Sequence, residues 1–444
     1  MSRAAMGILH AARASTLALL TLAASLTVAA AAPETDPLPR SPDYRGEIRR
    51  GPDGKLMAVP SPSPEPKAEE PPQPRSSPSP TAGQKILRVG PGTAIATVGE
   101  AARLARDGDI IEIRAGTYSR QPVVWKQKRL TIRGVGERPV MMADGASADD
   151  KAIWVIADGE FDIENIEFRG ARVADGNGAG IRFEHGTLRI RKCAFFDNEM
   201  GILTANFADA TLEIADSEFG AAPRHRGDLH HLLYVGAIGK FTLVGSRFSG
   251  GYRGHLVKSR ARENLVAYNL LADGPQGQAS YELEFPNGGV AYVIGNLIGQ
   301  SAETQNPTLV SYGAEGPRWP DNALYLVHNT LTSEFNHGNF LFVWSDKFRP
   351  DTEVWVINNL TVGYGNLAPA PNGRFEGNQN LSRAELIPVE GIPIKLPLNS
   401  PLRGSVRPPG SARSVDLLPR AEFAFPVGSR PLVPPSRLAP GAFQ

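Results

Sequence analysis

Eight short apolar segments, each broken at one place by a small or polar residue, constrain this chain more than any other feature. They read FDIENIEF, LRIRKCAFF, LEIADSEF, TLVGSRF, LVAYNLL, YVIGNLI, LVHNTL and WVINNLT. The break falls at Asn165, Cys193, Ser217, Ser246, Asn269, Asn296, Asn329 and Asn359, at intervals of roughly 23 to 33 residues, a period of solenoid length. Most units carry a further strand downstream, so each holds two or three short strands. A propeller blade needs four strands in ~40 residues or more, and the fixed leucine frame of a leucine-rich repeat is absent. One coil of a parallel β-helix fits better. Asn recurring at one turn predicts an inward ladder whose amides bond from coil to coil, as Asn side chains do in stacked sheets.

The rest of the chain is organised around this array. Arg3 and Arg13 precede an apolar run from Thr16 to Ala32 that ends in small residues. That order is that of a secretory signal, so residues 1–32 are expected to be cleaved and the protein to be periplasmic or secreted. Residues 33–84, with PSPSPEPKAEEPPQPRSSPSP, hold too few apolar residues to offset the entropy of ordering and read as a disordered linker. Residues 85–382 form the expected β-helix domain. Within it TVGEAARLAR, from Thr97 to Arg106, has helical spacing and would cap the open end of the stack. Residues 383–444 are again Pro-rich but keep Leu396, Leu398, Leu402, Phe423, Phe425 and Phe443, as expected of a segment packing on the helix or capping it. Lys and Arg number 47 against 46 Asp and Glu; this balance gives no basic footprint for nucleic acid. The lone cysteine, Cys193, cannot form an intramolecular disulfide, so stability must come from burial. A monomer with no membrane span after cleavage is expected.

The opening LRVGPGTAIATVGEAARLARDGDIIEIRAGTYS, followed by LTIRGVG, resembles the first coil of right-handed parallel β-helix proteins of the pectate-lyase-like superfamily. The tail, with Ser400-Pro401 and Pro440 to Phe443, is similar to the closing segment of many such proteins. The resemblance implies an all-β right-handed parallel β-helix. It leaves activity open, because this fold hosts lyases, hydrolases, epimerases and adhesins.

Candidate chemistry lies in one strand of each coil. HLLYVGA (231–237), HLVKSRA (255–261), YELEFPN (281–287), TLVSYGA (308–314) and FLFVWSD (340–346) align. Their third and fifth positions are mostly apolar and are expected inside: Leu233 and Val235, Val257 and Ser259, Leu283 and Phe285, Val310 and Tyr312, Phe342 and Trp344. The fourth is then outward and reads Tyr234, Lys258, Glu284, Ser311 and Val343. Alternation adds Arg260 and Glu282 to that face and sends His255 inward, as a core or turn histidine.

Such a stripe suits an acidic polysaccharide. Removing the proton beside a uronate carboxylate requires a base, a cation to neutralise the carboxylate, and an acid. Lys258 or Arg260 is the expected neutraliser, His230 the base and Tyr234 the acid, with His231, Glu282, Glu284 and Ser311 binding substrate. Asp228-Leu229-His230 and GHLVKSR resemble segments of mannuronan C5-epimerases, with Leu229 where that motif has Pro. Glu282 and Glu284 near Lys258 resemble the Ca²⁺ and Lys/Arg sites of alginate and chondroitin lyases, which makes these two carboxylates Ca²⁺ candidates; no other cofactor is expected. The bland alternative is a cross-strand Lys258–Glu284 ion pair, worth little when exposed. The expected function is therefore β-elimination or C5-epimerisation of uronates, against a non-catalytic polysaccharide-binding or envelope-associated structural β-helix. The insertion GAEGPRWPDN (313–322) either walls the groove, with Trp319 against sugar, or is plain loop packing.

Overall fold

The computed structural model describes residues 47–50, 56–59, 84–224, 230–367, 370, 372–433 and 435–444. The signal run and most of the Pro-rich stretch lie outside the described residues. The chain divides into two units, 1–66 and 67–444. In the first, Glu47–Arg50 pairs antiparallel with Leu56–Val59, so part of the expected linker carries a short ladder.

The second unit is a right-handed parallel β-helix. Three parallel sheets of 12, 11 and 10 strands are built by one strand per coil. In one coil Thr211–Ala215 enters the first sheet, Glu218–Gly220 the second and Leu233–Val235 the third, before Lys240–Val244 returns to the first. Crossovers between parallel strands take the right-handed course for reasons of strand twist. Val98–Leu104 forms the expected helix; Thr97 Oγ1 accepts the Glu100 N–H at 3.1 Å, and Gln127 donates to the carbonyls of Ala102 and Ala105 at its end. Among the described residues no helix is long and apolar enough to cross a membrane.

The Asn ladder forms as expected. Asn269, Asn296, Asn329 and Asn359 are buried along one edge. Each Nδ2 donates to the next Oδ1 at 2.9–3.0 Å, and the series ends on Asn378, which the repeat alignment missed. Ser246 and Ser217 continue it toward the N-terminus, with Oγ accepting the preceding coil's backbone N–H. Asn165 is a correction. The register pairs Glu164 with Arg191 and Glu167 with Ala194, so Ile166 takes the slot beside Cys193 and Asn165 sits one place earlier. That earlier place is left-handed in successive coils, with Asn165 at φ 56°, Lys192 at 52°, Tyr268 at 57° and His328 at 52°. Asn tolerates either place, so residue type alone did not set its register. Beside the ladder, Phe168, Phe195, Phe219 and Phe248 stack inside at 5.2, 4.7 and 4.4 Å between rings.

The C-terminal segment runs along the outside. Phe423, Ala442 and Phe443 pack with Leu270 and Leu297, and Leu386, Leu396 and Ala439 with Leu360 and Val362; Leu398, expected among the packing residues, instead faces solvent in the turn that follows Leu396.

Candidate functional site

The third sheet carries the candidate residues. Its register sets Tyr234 beside Lys258, Lys258 beside Glu284, and Glu284 beside Ser311. Neighbouring rungs are ~4.8 Å apart. Leu233, Val235, Val257, Ser259, Leu283, Phe285, Val310 and Tyr312 are all buried, as the alternation requires. The last of the five aligned strands is shifted by one: Phe342 lies beside Ser311 and Val343 beside Tyr312. FLFVW has no alternation, so nothing local specified its register. Trp344 accordingly is only partly buried and not a core residue.

Alternation fails at one further point, and the failure reshapes the site. The backbone bends at Leu232, Leu256 and Glu282, the residues immediately before three of these strands. Leu232 and Leu233, Leu256 and Val257, Glu282 and Leu283 are therefore buried as successive pairs. Residues ahead of the bend emerge on the outer face. His231 lies 5.4 Å from Tyr234 and 4.5 Å from His255, and His255 lies 4.9 Å from Tyr281, ring to ring. His255 thus belongs to the stripe, against the inward expectation. Glu282 leaves it: 0% exposed, it takes the place that Leu232, Leu256 and Leu309 hold in neighbouring coils. His230 leaves it too, buried with Nδ1 3.4 Å from the Pro223 carbonyl oxygen. Ser311 keeps its register but is 0% exposed and cannot meet a substrate. Asp228 and Leu229 lie outside the described residues.

What remains on the face is a compact charged cluster. His255 Nε2 lies 2.9 Å and Lys258 Nζ 3.4 Å from Glu284 Oε2. Burial pushes the Glu284 carboxyl up, but His255 and Lys258 outweigh it and hold it below its ordinary value. Burial, aided by Lys258 and Arg260, lowers the pKa of His231 far and that of His255 less, because Glu284 opposes the shift there. Both imidazoles are neutral near pH 7. His231 Nδ1 accepts the His255 backbone N–H at 2.9 Å, which leaves the ring proton on Nε2. Arg260 Nε donates to the Tyr234 hydroxyl oxygen at 2.8 Å.

The insertion after Gly313 closes over these cations. Glu315 accepts from Arg260 Nη1 at 2.5 Å and Nη2 at 2.8 Å, and its Oε1 is 3.5 Å from Lys258 Nζ. Asn287 also accepts from Arg260. Burial opposes the Arg260 charge, but Glu315 and Tyr234 more than offset it and raise its basicity. Arg260 chiefly, then Lys258, holds the Glu315 carboxyl below its ordinary value. Trp319 donates Nε1–H to the Arg260 carbonyl oxygen at 2.9 Å, so it pins the loop.

These residues do not make a calcium site. Glu282 is in the core beside Asp273, while Glu284 is matched by a lysine and a histidine, so the two carboxylates do not converge. Ca²⁺ needs six or more oxygen ligands. Among the described residues no group of three or more His, Cys, Asp or Glu side chains is placed to hold a metal.

Three parallel sheets wound by one chain, with a turn ladder between them, decide the class. The chain folds as a parallel β-helix. No family profile matches its sequence, and no curated protein does. Solved structures similar to this β-helix include the following two. The crystal structure of pectate lyase Pel9A matches over 76% of this chain and 96% of its own, at 13% identity and TM-score 0.47. ORF18 of Geobacillus virus E2 matches over 62% of this chain and 53% of its own, at 13% identity and TM-score 0.36.

Sequence reasoning missed Glu315 and Tyr281, and it placed His255 on the wrong side. The doublet His231-Leu232, repeated as His255-Leu256, was the available signal: a polar residue followed by two apolar ones in successive coils of this β-helix marks a bend rather than a strand.

Proposed function

We propose that this protein acts on an acidic polysaccharide, taking the proton from the carbon next to a uronate carboxylate. The observation that carries the reading is the convergence of Lys258 and Arg260 on one carboxylate at the outer face, with Tyr234 and His231 beside them. A carboxylate seated between two cations is stripped of the charge that makes its neighbouring C–H weakly acidic. The Tyr234 hydroxyl, whose oxygen faces Arg260 Nε, is the group available to exchange a proton with that carbon. His231, with Nδ1 taken by the His255 N–H and its proton on Nε2, can donate a hydrogen bond to substrate but does not take the base part first given to His230. The electron pair left on carbon then expels the sugar oxygen at C4, which leaves an unsaturated uronate. Reprotonation from the opposite face gives the epimer instead. Glu284 and His255 sit beneath and hold Lys258 in place.

Ultraviolet absorbance on a panel of uronate polymers tests elimination, since it creates a double bond; proton exchange at C5 tests epimerisation. Lys258→Ala should lower the rate about a hundredfold, as loss of a transition-state charge contact does. A parent that neither turns over nor binds any uronate polymer sinks the reading. One observation favours binding without turnover: Lys258 is only 13% exposed beneath Glu315. Uronate-specific binding with no absorbance change and no proton exchange would select that reading.

A further inference from the structure

We infer that Glu315 is an internal stand-in for the substrate carboxylate: it fills the Lys258–Arg260 seat in the resting protein and leaves it when a uronate enters. The inference rests on the uronate reading and adds regulation to it. Glu315 comes from the 313–322 insertion, 55 residues beyond Arg260, and meets the guanidinium with both oxygens. That two-pronged contact is how arginine recognises a free carboxylate.

The way the insertion is fastened separates a removable side chain from a fixed loop. The Glu315 N–H donates to Pro286 O at 2.8 Å, and the Arg318 N–H to Asn287 O at 3.0 Å. Trp319 holds Arg260 O, and Asn287 Nδ2 holds Gly316 O at 3.2 Å. The Glu315 side chain is nevertheless 44% exposed. It can rotate into solvent while the backbone stays, so opening the seat requires a rotamer change and no loop opening.

The exchange is also balanced in charge. Lys258 and Arg260 are largely buried, and a buried cation without a partner is strongly unfavourable. Glu315 supplies the partner when substrate is absent. An incoming uronate replaces one carboxylate by another and leaves no cation bare. A neutral sugar offers no such replacement and is refused. Being tethered, Glu315 competes at an effective concentration on the order of millimolar or above, so only a ligand that adds contacts to its carboxylate wins.

Calorimetric titration with oligogalacturonate and oligomannuronate, and with a neutral cello-oligosaccharide as control, tests this on the full chain. If the seat is free about one-tenth of the time, Glu315→Gln should bind the uronate oligomer about tenfold more tightly, because apparent affinity scales with the competent fraction. Glu315→Asp, charged but shorter, should fall between. The gain should vanish in Glu315→Gln combined with Lys258→Ala. Unchanged or weaker binding in Glu315→Gln, with Lys258→Ala still losing affinity, overturns the stand-in and leaves the uronate seat intact. No uronate binding by the parent or by Glu315→Gln overturns both, and a gain for the neutral oligosaccharide equal to that for uronates overturns the charge exchange.

Discussion

His255 Nε2 lies 2.9 Å from Glu284 Oε2 with both side chains almost wholly covered, one rung from each other on the outer face of the β-helix. Lys258 shares the same carboxylate oxygen at 3.4 Å. The pair is therefore not the exposed strand contact that would be worth little.

Glu284→Gln is expected to destabilise the protein by about 3 kcal/mol, because it removes the closer and more deeply buried of the two carboxylates that face Lys258 and leaves only the half-exposed Glu315. Lys258→Ala should cost clearly less, since His255 stays beside Glu284 and Arg260 keeps Glu315. Chemical denaturation of the two variants distinguishes the cases; two small and equal losses would mean the cluster is solvated. The pH dependence carries a sign. The Glu284 carboxyl is depressed in the fold, so its stabilisation is present above the ordinary carboxylate range and is lost as pH falls through its folded value. Glu284→Gln should flatten that acid limb.

Asn296 makes four side-chain hydrogen bonds in the ladder: its Oδ1 accepts from Asn269 N and Nδ2, and its Nδ2 donates to Asn329 Oδ1 and Val266 O. Asn296→Ala leaves several buried groups without partners, at ~1–3 kcal/mol each, and should cost about 4 kcal/mol. Asn378→Ala, at the partly exposed end of the ladder, should cost about 1 kcal/mol, because water replaces the lost partner. Equal losses at the two sites in thermal or chemical unfolding would show that the ladder does not act through burial.

Glu282 is a carboxyl in a leucine column. Burial first, then Asp273, pushes its pKa far above the ordinary carboxylate value, and burial lifts Asp273 to about 6. A raised folded value means the native state binds more protons than the unfolded chain above the ordinary range, so stability falls as pH rises through that window. Glu282→Leu restores the column and removes this loss. The variant should be more stable than the parent, and the difference should grow as pH rises above the ordinary carboxylate range, by up to ~1.4 kcal/mol per pH unit until Glu282 ionises in the fold. A difference that is flat or shrinks with pH would contradict the buried neutral carboxyl.

The period of the apolar segments and the recurrence of Asn determined the β-helix. Both are local properties of the chain, and stacking identical turns is the one arrangement that satisfies buried amides in every coil. The same regularity set the rungs of Tyr234, Lys258 and Glu284, because hairpin-free parallel coils keep side-chain alternation wherever one face is buried. Only the tertiary structure decided the site itself. The bends at Leu232, Leu256 and Glu282 reverse the facing of the residue before them, which brought His255 out and took Glu282 in. Alternation is a rule of straight strands and holds no information about where a strand begins. Glu315 reaches Arg260 across 55 residues of sequence, and its place depends on how the insertion lies against Asn287, Pro286 and the Arg260 backbone. A contact between loops of different coils has no period, so no pattern along the chain could have announced it.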